Sequence, residues 1–315
     1  GNSHDFSRQA IVNEGTINWS QGNIRSGLGG TLTNSAGGVF NDTNATGYSV
    51  SNISGGTFSF TNDGTYNRTT SGTTTFSIPF NNNATVNLQQ GTIRLSGGGT
   101  MSATSVVNAS SGSTFQFNSD YTLQAGSQLT GSGDYQQTSG TLDVGTLKAS
   151  NFNWRAGDWN GSGTSTIDAT THLTLDTTSN KDFNSRTIIN NGTVTWNLGH
   201  IRSGNDGSFT NASSGIFNDS NTNGYSIQNA FGGNFTFTNN GTYNRNTTGT
   251  TTFSTPFDNN ATVNLQQGII SLNNGGTMSS TSVVNASSGT TFTFGDTYTI
   301  ASGSQLLGLG TFQHT

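Results

Sequence analysis

Apolar and polar residues alternate in short segments along the whole 315-residue chain. Clear examples are Phe58-Ser59-Phe60, Val86-Asn87-Leu88 and Phe115-Gln116-Phe117. A period of two places successive side chains on opposite faces of a strand, so each segment predicts a strand with one buried face. No stretch has a sustained apolar period of 3.6 residues, and we therefore expect almost no helix.

A short phrase, Gly-Thr followed by an apolar residue, opens many of these segments. It begins at Gly15, Gly30, Gly56, Gly64, Gly91 and Gly140. Clusters of Asn, Gly and Ser between the segments favour turns. The irregular spacing of the turns, roughly 14 to 28 residues, favours the rungs of a parallel β-helix, with two or three short strands per rung and about 14 rungs in all. The main alternative is a string of antiparallel β-sandwiches, which also consist of short strands between turns.

The chain also contains a long repeat with an offset of 177 residues. The segment Asn82–Gly91 recurs unchanged as Asn259–Gly268, and about 60% of the aligned positions are identical. We expect residues 1–177 to form one repeat unit and residues 178–315 a second, incomplete unit of one continuous rod. The predicted fold class is therefore all-β, a right-handed parallel β-helix (β-solenoid) built of two tandem repeats.

The composition agrees with a folded β-protein. Only 8% of the residues are charged, while the chain has 44 Gly, 20 Phe, 7 Tyr and 4 Trp. Aromatic and β-branched residues suit pleated sheets and are scarce in disordered chains. A narrow solenoid core can be continuous along its axis, which explains how 29% hydrophobic residues can suffice.

The charge distribution argues against several partners. The net charge is −5, and the only lysines are Lys148 and Lys181. Without a basic stripe, the chain is not expected to bind nucleic acid or an anionic membrane surface. No apolar run is long enough to cross a membrane, so no membrane insertion is expected. Cysteine is absent, which excludes disulfides and thiolate metal sites.

The two ends of the sequence both fall inside the repeating pattern. There is no initiator Met and no leader segment, which predicts a processed or excerpted piece. The second repeat stops before the counterpart of residues 139–177. Because a solenoid needs caps to end in solvent, we expect either flanking repeats of a longer chain or neighbouring copies of the protein at the ends.

Some phrases resemble those of a known class of proteins. The segments Asn190–Val194 (NNGTV), Phe152–Trp154 (FNW) and Gly161–Thr164 (GSGT) are similar to β-helical repeats of large bacterial surface proteins. Filamentous-haemagglutinin-type adhesins and autotransporter passenger domains are the nearest family type. The resemblance covers the whole chain and implies a right-handed parallel β-helix that is exposed on the cell surface or outside the cell.

The sequence contains no recognisable catalytic constellation. Polysaccharide-cleaving β-helices need clustered carboxylates with nearby cations or calcium, but the single glutamate, Glu14, aligns with Asn191 in the second copy. None of the four histidines aligns with a histidine in the other copy. We therefore expect no enzyme activity, no catalytic residue, no metal and no cofactor. An ice-binding solenoid would need a Thr array at constant rung spacing, and the spacing here is irregular.

Four charged positions are shared by the two copies. They are Asp5/Asp182, Arg25/Arg202, Asp42/Asp219 and Arg68/Arg245. One interpretation is a repeated binding site for an acidic sugar or a neighbouring chain. The other is structural: each arginine caps turn carbonyls or pairs with an aspartate on the adjacent rung.

Aromatic residues beside Gly and Asn turns are candidates for stacking on sugar rings. These are the pair Trp154 and Trp159 and the repeated tyrosines Tyr48 and Tyr225. Most phenylalanines, by contrast, are expected to fill the core of the solenoid.

The combined pattern predicts a non-enzymatic extracellular structural protein. We expect a rod that forms or decorates a cell-surface fibre by stacking end to end on other copies. The alternative is a stalk or passenger segment of a monomeric adhesin, which would bind glycans or the surfaces of host or neighbouring cells. The two differ in whether the rod ends pair between molecules or within a longer chain.

Overall fold

In a computed structural model, residues 3–315 are described, and all their regular elements are strands. No helix that could cross a membrane is present among these residues. The chain divides into two compact units, Gly1–Asn153 (unit 1) and Trp154–Thr315 (unit 2). These units are defined by contacts and the repeats by sequence identity, so the assignment of 1–177 and 178–315 as domains stays a prediction.

Unit 1 consists of short strands of two to six residues. The strands are β1 (His4–Asp5), β2 (Ala10–Asn13), β3 (Thr16–Trp19), β4 (Ile24–Ser26), β5 (Gly30–Asn34), β6 (Val39–Asp42), β7 (Ser49–Asn52), β8 (Phe58–Asn62), β9 (Thr65–Arg68), β10 (Thr73–Phe76), β11 (Phe80–Asn82), β12 (Thr85–Leu88), β13 (Thr92–Leu95), β14 (Gly99–Met101), β15 (Val106–Ala109), β16 (Thr114–Asn118), β17 (Tyr121–Leu123), β18 (Gln128–Gly131), β19 (Asp134–Ser139), β20 (Leu142–Val144) and β21 (Thr146–Leu147). The next strand, β22 (Asn151–Trp154), contains the boundary between the units.

From β1 to β20, every third strand of unit 1 belongs to the same stack. The three stacks are β1-β4-β7-β10-β13-β16-β19, β2-β5-β8-β11-β14-β17-β20 and β3-β6-β9-β12-β15-β18. Each rung of the solenoid therefore contributes three strands, one to each stack.

Unit 2 has the same construction. Its strands are β23 (Gly163–Ile167), β24 (His172–Leu175), β25 (Lys181–Asp182), β26 (Arg186–Asn190), β27 (Thr193–Trp196), β28 (Ile201–Ser203), β29 (Gly207–Asn211), β30 (Ile216–Asp219), β31 (Ser226–Asn229), β32 (Phe235–Asn239), β33 (Thr242–Arg245), β34 (Thr250–Ser254), β35 (Phe257–Asn259), β36 (Thr262–Leu265), β37 (Ile269–Leu272), β38 (Gly276–Met278), β39 (Val283–Ala286), β40 (Thr291–Phe294), β41 (Tyr298–Ile300), β42 (Gln305–Gly308) and β43 (Thr311–His314). They form the stacks β23-β26-β29-β32-β35-β38-β41, β24-β27-β30-β33-β36-β39-β42 and β25-β28-β31-β34-β37-β40-β43.

The strand pairings confirm the predicted solenoid and exclude the antiparallel alternative. Neighbouring strands within each stack are parallel, and the chain forms about 15 rungs. The length of a rung varies: Thr73 pairs with Thr92, whereas Gly30 pairs with Phe58. The variable turns expected from the sequence absorb this difference. The right-handed sense of the coil stays a prediction, although parallel crossover connections are overwhelmingly right-handed.

Strand alternation places a column of aromatic rings inside each unit. In unit 1, the rings of Phe40 and Tyr66 stack with centroids 5.4 Å apart. In unit 2, Phe217 and Tyr243 stack in the same way at 5.2 Å. These rings are no more than 1% exposed, as expected for residues that face the inside of a period-two strand.

Buried asparagines form a second column, which is held by hydrogen bonds. In unit 1, the Nδ2 of Asn34 donates to Oδ1 of Asn62 at 2.8 Å, and Asn62 donates to Asn82 in the same way. The ladder of unit 2 begins at Asn190, which donates to Asn211 at 2.8 Å. Each amide therefore bonds to its counterpart on the next rung, which satisfies polar groups that would be costly to bury alone.

Glycine is required where successive turns approach closely. Gly91 has a φ of +72°, and a Cβ there would lie 2.4 Å from the carbonyl oxygen of Gly72. Its counterpart Gly268 has a φ of +74° and a similar approach to Gly249. A side chain at either position would force two rungs apart, which explains the glycine at this place in both copies.

Candidate functional site

The first shared charge pair lies on the outer surface of each unit. Arg25 binds Asp5 through two hydrogen bonds of 2.8 Å, and Arg202 binds Asp182 through bonds of 2.8 and 2.6 Å. The partners occupy adjacent parallel strands, as the structural interpretation of the sequence expects. The hydrogen bond to Asp182 raises the pKa of the Arg202 guanidinium above its ordinary value.

The second shared pair is buried inside unit 1. Asp42 and Arg68 are both fully buried and lie 2.8 Å apart. Tyr66 donates a hydrogen bond of 2.7 Å to the same carboxylate, and Thr74 donates another. Asn44 donates to the second carboxylate oxygen at 2.8 Å. This set of bonds supplies the partners that a buried carboxylate needs, and we name these five residues the inner cluster of unit 1.

Unit 2 repeats the inner cluster with little change. Asp219 and Arg245 are fully buried and lie 2.9 Å apart. The hydroxyl groups of Tyr243 and Thr251 donate to one oxygen of Asp219 at 2.8 and 2.6 Å. The backbone N–H of Asn221 donates to the other oxygen at 3.2 Å. Burial and the adjacent carboxylate raise the pKa of Tyr243 well above its ordinary value, as they do for its counterpart in unit 1.

Burial decides between the two interpretations of the inner charges. A ligand cannot reach Asp42, Arg68, Asp219 or Arg245 without opening the solenoid, since all four are 0% exposed. The expectation of a surface binding site at these positions is therefore wrong. Their contacts are inter-rung bonds that copying of the repeat has duplicated.

The structure also corrects the expectation for the tryptophan pair. Trp154 and Trp159 are 2% and 0% exposed, and their rings stack on each other with centroids 4.5 Å apart. The Nε1 of Trp154 donates to the carbonyl oxygen of Gly157 at 2.8 Å. The sequence interpretation required exposed rings, and this pair does not meet that requirement because each ring covers the other.

The repeated tyrosines lie at the surface. Tyr48 and Tyr225 are both half-buried and directly precede β7 and β31. The ring of Tyr225 meets the imidazole of His200 edge to face at 5.0 Å. A sugar-stacking role for these two tyrosines stays a prediction.

Lys181 is a buried cation that the sequence interpretation left without a role. Its ammonium group donates to the carbonyl oxygens of Thr177 and Ser179 at 3.2 and 2.5 Å. Burial lowers the pKa of Lys181 to about 8. The bonds all go to its own turn, so this lysine closes a turn and presents no charge to a ligand.

Around Arg202, however, unit 2 gathers polar and aromatic side chains on one outer surface. We name this surface the Arg202 face and define it by Asp158, Asp182, His200, Arg202, Tyr225 and Phe231. The guanidinium of Arg202 lies 5.5 Å from the ring centroid of Phe231. Asp158 forms a parallel β-bridge with Asp182, so the two aspartates occupy adjacent rungs.

His200, which directly precedes β28, lies on the same surface. Burial and the nearby positive charge of Arg202 lower the pKa of His200 below its ordinary value. Burial and the carboxylate of Asp182 raise the pKa of Asp158. Both pKa shifts are expected where ionisable groups lie close together and are partly buried.

Sequence reasoning missed three members of the Arg202 face. It noted only that His200 has no histidine counterpart in the other copy, and it did not single out Asp158 or Phe231. A usable signal was present, because the copies differ at two of these positions: Asn23 aligns with His200, and Ser54 aligns with Phe231. Among residues 3–315 no cluster of three or more metal-ligating side chains is found.

No protein-family model, no curated protein and no solved structure matches this chain. The likeness to adhesin-type repeats accordingly rests on the sequence phrases, and the parallel β-solenoid rests on the strand pairings.

Proposed function

We propose that this chain is a non-enzymatic, extracellular structural protein. Its β-solenoid would form or decorate a cell-surface fibre, and further rungs would stack on its outermost ones. The observation that carries the proposal is a difference in burial between equivalent apolar residues of the two copies.

Ile300 in β41 gives the clearest example. It is 48% exposed, whereas Leu123, at the same place in the first copy, is 2% exposed. Leu123 is covered because its strand pairs with β20, where Val144 is its register partner. The surface at Ile300 therefore has the shape that one more parallel strand covers elsewhere in the same protein.

The neighbouring strand β42 shows the same difference. Leu306 is half-buried, but its counterpart Leu129 is 3% exposed and bridges Ala149. Among residues 3–315 no further strand lies beside β41 and β42, so their apolar side chains stay partly exposed. Such an edge favours addition of a further strand, since both hydrogen bonds and apolar burial are gained.

Apolar side chains are also exposed to a pocket at the first rungs of unit 1. A mainly apolar pocket of about 190 Å³ lies there and is lined by residues including Phe6, Trp19 and Leu32. Lysine, the usual residue that protects exposed strand edges, is absent from both of these outer surfaces.

The alternative function is a stalk or passenger segment of a monomeric adhesin. In that case the covering rung belongs to the same polypeptide, and the rod displays binding surfaces along its side. The Arg202 face favours this second candidate as a site at which a ligand could bind.

Electron microscopy and analytical ultracentrifugation of the chain test the first proposal. We expect filaments that lengthen with protein concentration. The variant with Ile300→Asp and Leu306→Asp should remain folded by circular dichroism but should no longer form filaments, because both changes place a charge where the next rung must pack.

A matched control uses an apolar residue on the side of the solenoid. Ile216 is 39% exposed in β30, and Ile216→Asp should leave the filaments unchanged. Filaments that persist in the double variant would overturn stacking at this surface. Short rods that never lengthen would instead favour the adhesin stalk.

A further inference from the structure

The Arg202 face contains side chains that the fold itself does not require. The aligned surface of unit 1 shows which ones, because it has the same backbone and the same Asp–Arg pair. A residue that differs there, while the strand register stays the same, is available for another role.

His200 is the first such residue. The backbone N–H of Ser226 donates to its Nδ1 at 3.1 Å, and the Ser226 hydroxyl lies 2.8 Å away. In unit 1, Oδ1 of Asn23 accepts the equivalent bonds from Ser49, at 2.9 Å from the backbone and 3.1 Å from the hydroxyl. Asparagine is thus sufficient to hold the turn.

Histidine adds a group that asparagine lacks. Because Nδ1 accepts the bond from a backbone N–H, the proton of the neutral ring of His200 resides on Nε2. The bond that Nδ1 accepts from Ser226 belongs to the neutral ring, and burial, which lowers the pKa of His200, favours the same form. The ring therefore offers an N–H donor on its far side, next to the edge of Tyr225.

Phe231 is the second such residue. Its ring is 38% exposed, while unit 1 has Ser54 at this position, with a hydroxyl 2.8 Å from that of Ser7. The turn forms with a small polar residue, so the phenyl ring is not needed to close it. An exposed ring beside charged groups is a surface on which the C–H face of a sugar ring can stack.

The charges of the Arg202 face select the kind of ligand. The carboxylates of Asp158 and Asp182 accompany a single guanidinium, and His200 is neutral. The face therefore carries no net positive charge, even if Asp158 is protonated. Acidic sugars, sulfates and phosphates are disfavoured, whereas hydroxyl groups can donate to the carboxylates and accept from the imidazole N–H.

We propose that the Arg202 face of unit 2 is a binding site for a neutral glycan, with Phe231 stacking on a sugar ring and His200 and Asp158 bonding to its hydroxyls. This proposal goes beyond the structural role and does not depend on filament formation, since binding and assembly are measured separately. It replaces the acidic sugar that was one of the sequence-based expectations.

Isothermal titration calorimetry on the full chain tests the site with four probes: the hexasaccharides of β-1,4-glucose, α-1,4-glucose and β-1,4-mannose, and hexagalacturonate. At least one neutral hexasaccharide should bind, and hexagalacturonate should bind at least about tenfold more weakly. Absence of binding by every neutral probe at millimolar concentration, or tighter binding of hexagalacturonate, would overturn the proposal.

The test variants place the residues of unit 1 at the equivalent positions of unit 2. Phe231→Ser and His200→Asn introduce the residues of unit 1 and should each weaken binding at least about tenfold, with an unchanged melting temperature. Ser54→Phe, the reverse change in unit 1, should leave the affinity of the unit 2 site unaltered. Full affinity in the Phe231→Ser variant would show that binding occurs elsewhere and would contradict the assignment.

Discussion

The inner clusters of the two units and their outer Asp–Arg faces have changed to different extents. Inside, the Asp42–Arg68 and Asp219–Arg245 bonds differ by only 0.1 Å, and every partner residue is the same type. Outside, the Asp–Arg pair persists, but its surroundings change from Asn23 and Ser54 to His200 and Phe231. A buried polar group needs each of its partners, whereas a surface position tolerates exchange. The comparison therefore separates residues that hold the solenoid from residues that are available for binding.

Alkaline titration should have the largest effect on the interior. Tyr66, Tyr121, Tyr135 and Tyr243 are nearly or fully buried, and burial raises the pKa of each above its ordinary value. A raised pKa in the folded state means that the stabilisation is present below pH 10 and is lost as the pH rises further. At pH 11 each of these tyrosines should lower the free energy of unfolding by about 1.4 kcal/mol.

Absorbance at 295 nm and far-ultraviolet circular dichroism follow this titration together. We expect the buried tyrosines to ionise only as the β-signal disappears, in one transition above pH 10. Ionisation of these tyrosines within an intact β-structure would show that the interior is more accessible than the inner clusters indicate.

Removal of an inner arginine should have the next largest effect. Arg68→Met keeps the volume but leaves Asp42 buried without its cation, which should lower the free energy of unfolding by about 3–5 kcal/mol. Arg245→Met should cost the same amount, because the clusters are equivalent. Chemical denaturation measures both changes.

The surface pair provides the control for these variants. Arg25 and Asp5 have 34% and 48% exposed side chains, so Arg25→Met should destabilise the fold far less than Arg68→Met. Equal losses from Arg25→Met and Arg68→Met would remove the distinction between inner and outer pairs.

Substitutions in two asparagine ladders, one buried and one on the outer surface, should have the smallest effects on stability. Asn62 is fully buried and bonds both to Asn82 and to the carbonyl oxygen of Thr85, so Asn62→Ala should cost about 2 kcal/mol. Asn67 lies in an outer ladder, half-buried between Asn41 and Asn87. Asn67→Ala should cost under about 1 kcal/mol, because water can replace the lost bonds.

Thermal unfolding of the two asparagine variants compares these costs directly. A buried-ladder variant as stable as the outer-ladder variant would mean that the amide column contributes little to the fold.

Much of the fold could be read from local pattern. The alternation in segments such as Phe58–Phe60 predicted strands, and each residue faces the side that the pattern assigns. The clusters of Asn, Gly and Ser predicted turns, and glycine is required at Gly91 because two rungs nearly touch there. These features depend on neighbouring residues of the chain, so the sequence contains them directly.

Less of the candidate site could be predicted from the sequence. The Gly and Asn neighbours of Trp154 and Trp159 indicated exposed turns, but the rings bury each other. His200 lies two residues before Arg202 in the chain, but Phe231 meets Arg202 only because β28 pairs with β31. Proximity of this kind depends on which residues occupy the same place on successive rungs.

The sequence by itself determined that the chain is a repeated β-structure, which positions are shared by the two copies and which residues can turn the chain. Only the tertiary structure decided which aspartate meets which arginine and whether the pair is buried. The reason is the variable length of the rungs: 20 residues separate Asp5 from Arg25, but 26 separate Asp42 from Arg68. Without a constant period, register and burial follow from the packing of whole rungs and cannot be counted along the chain.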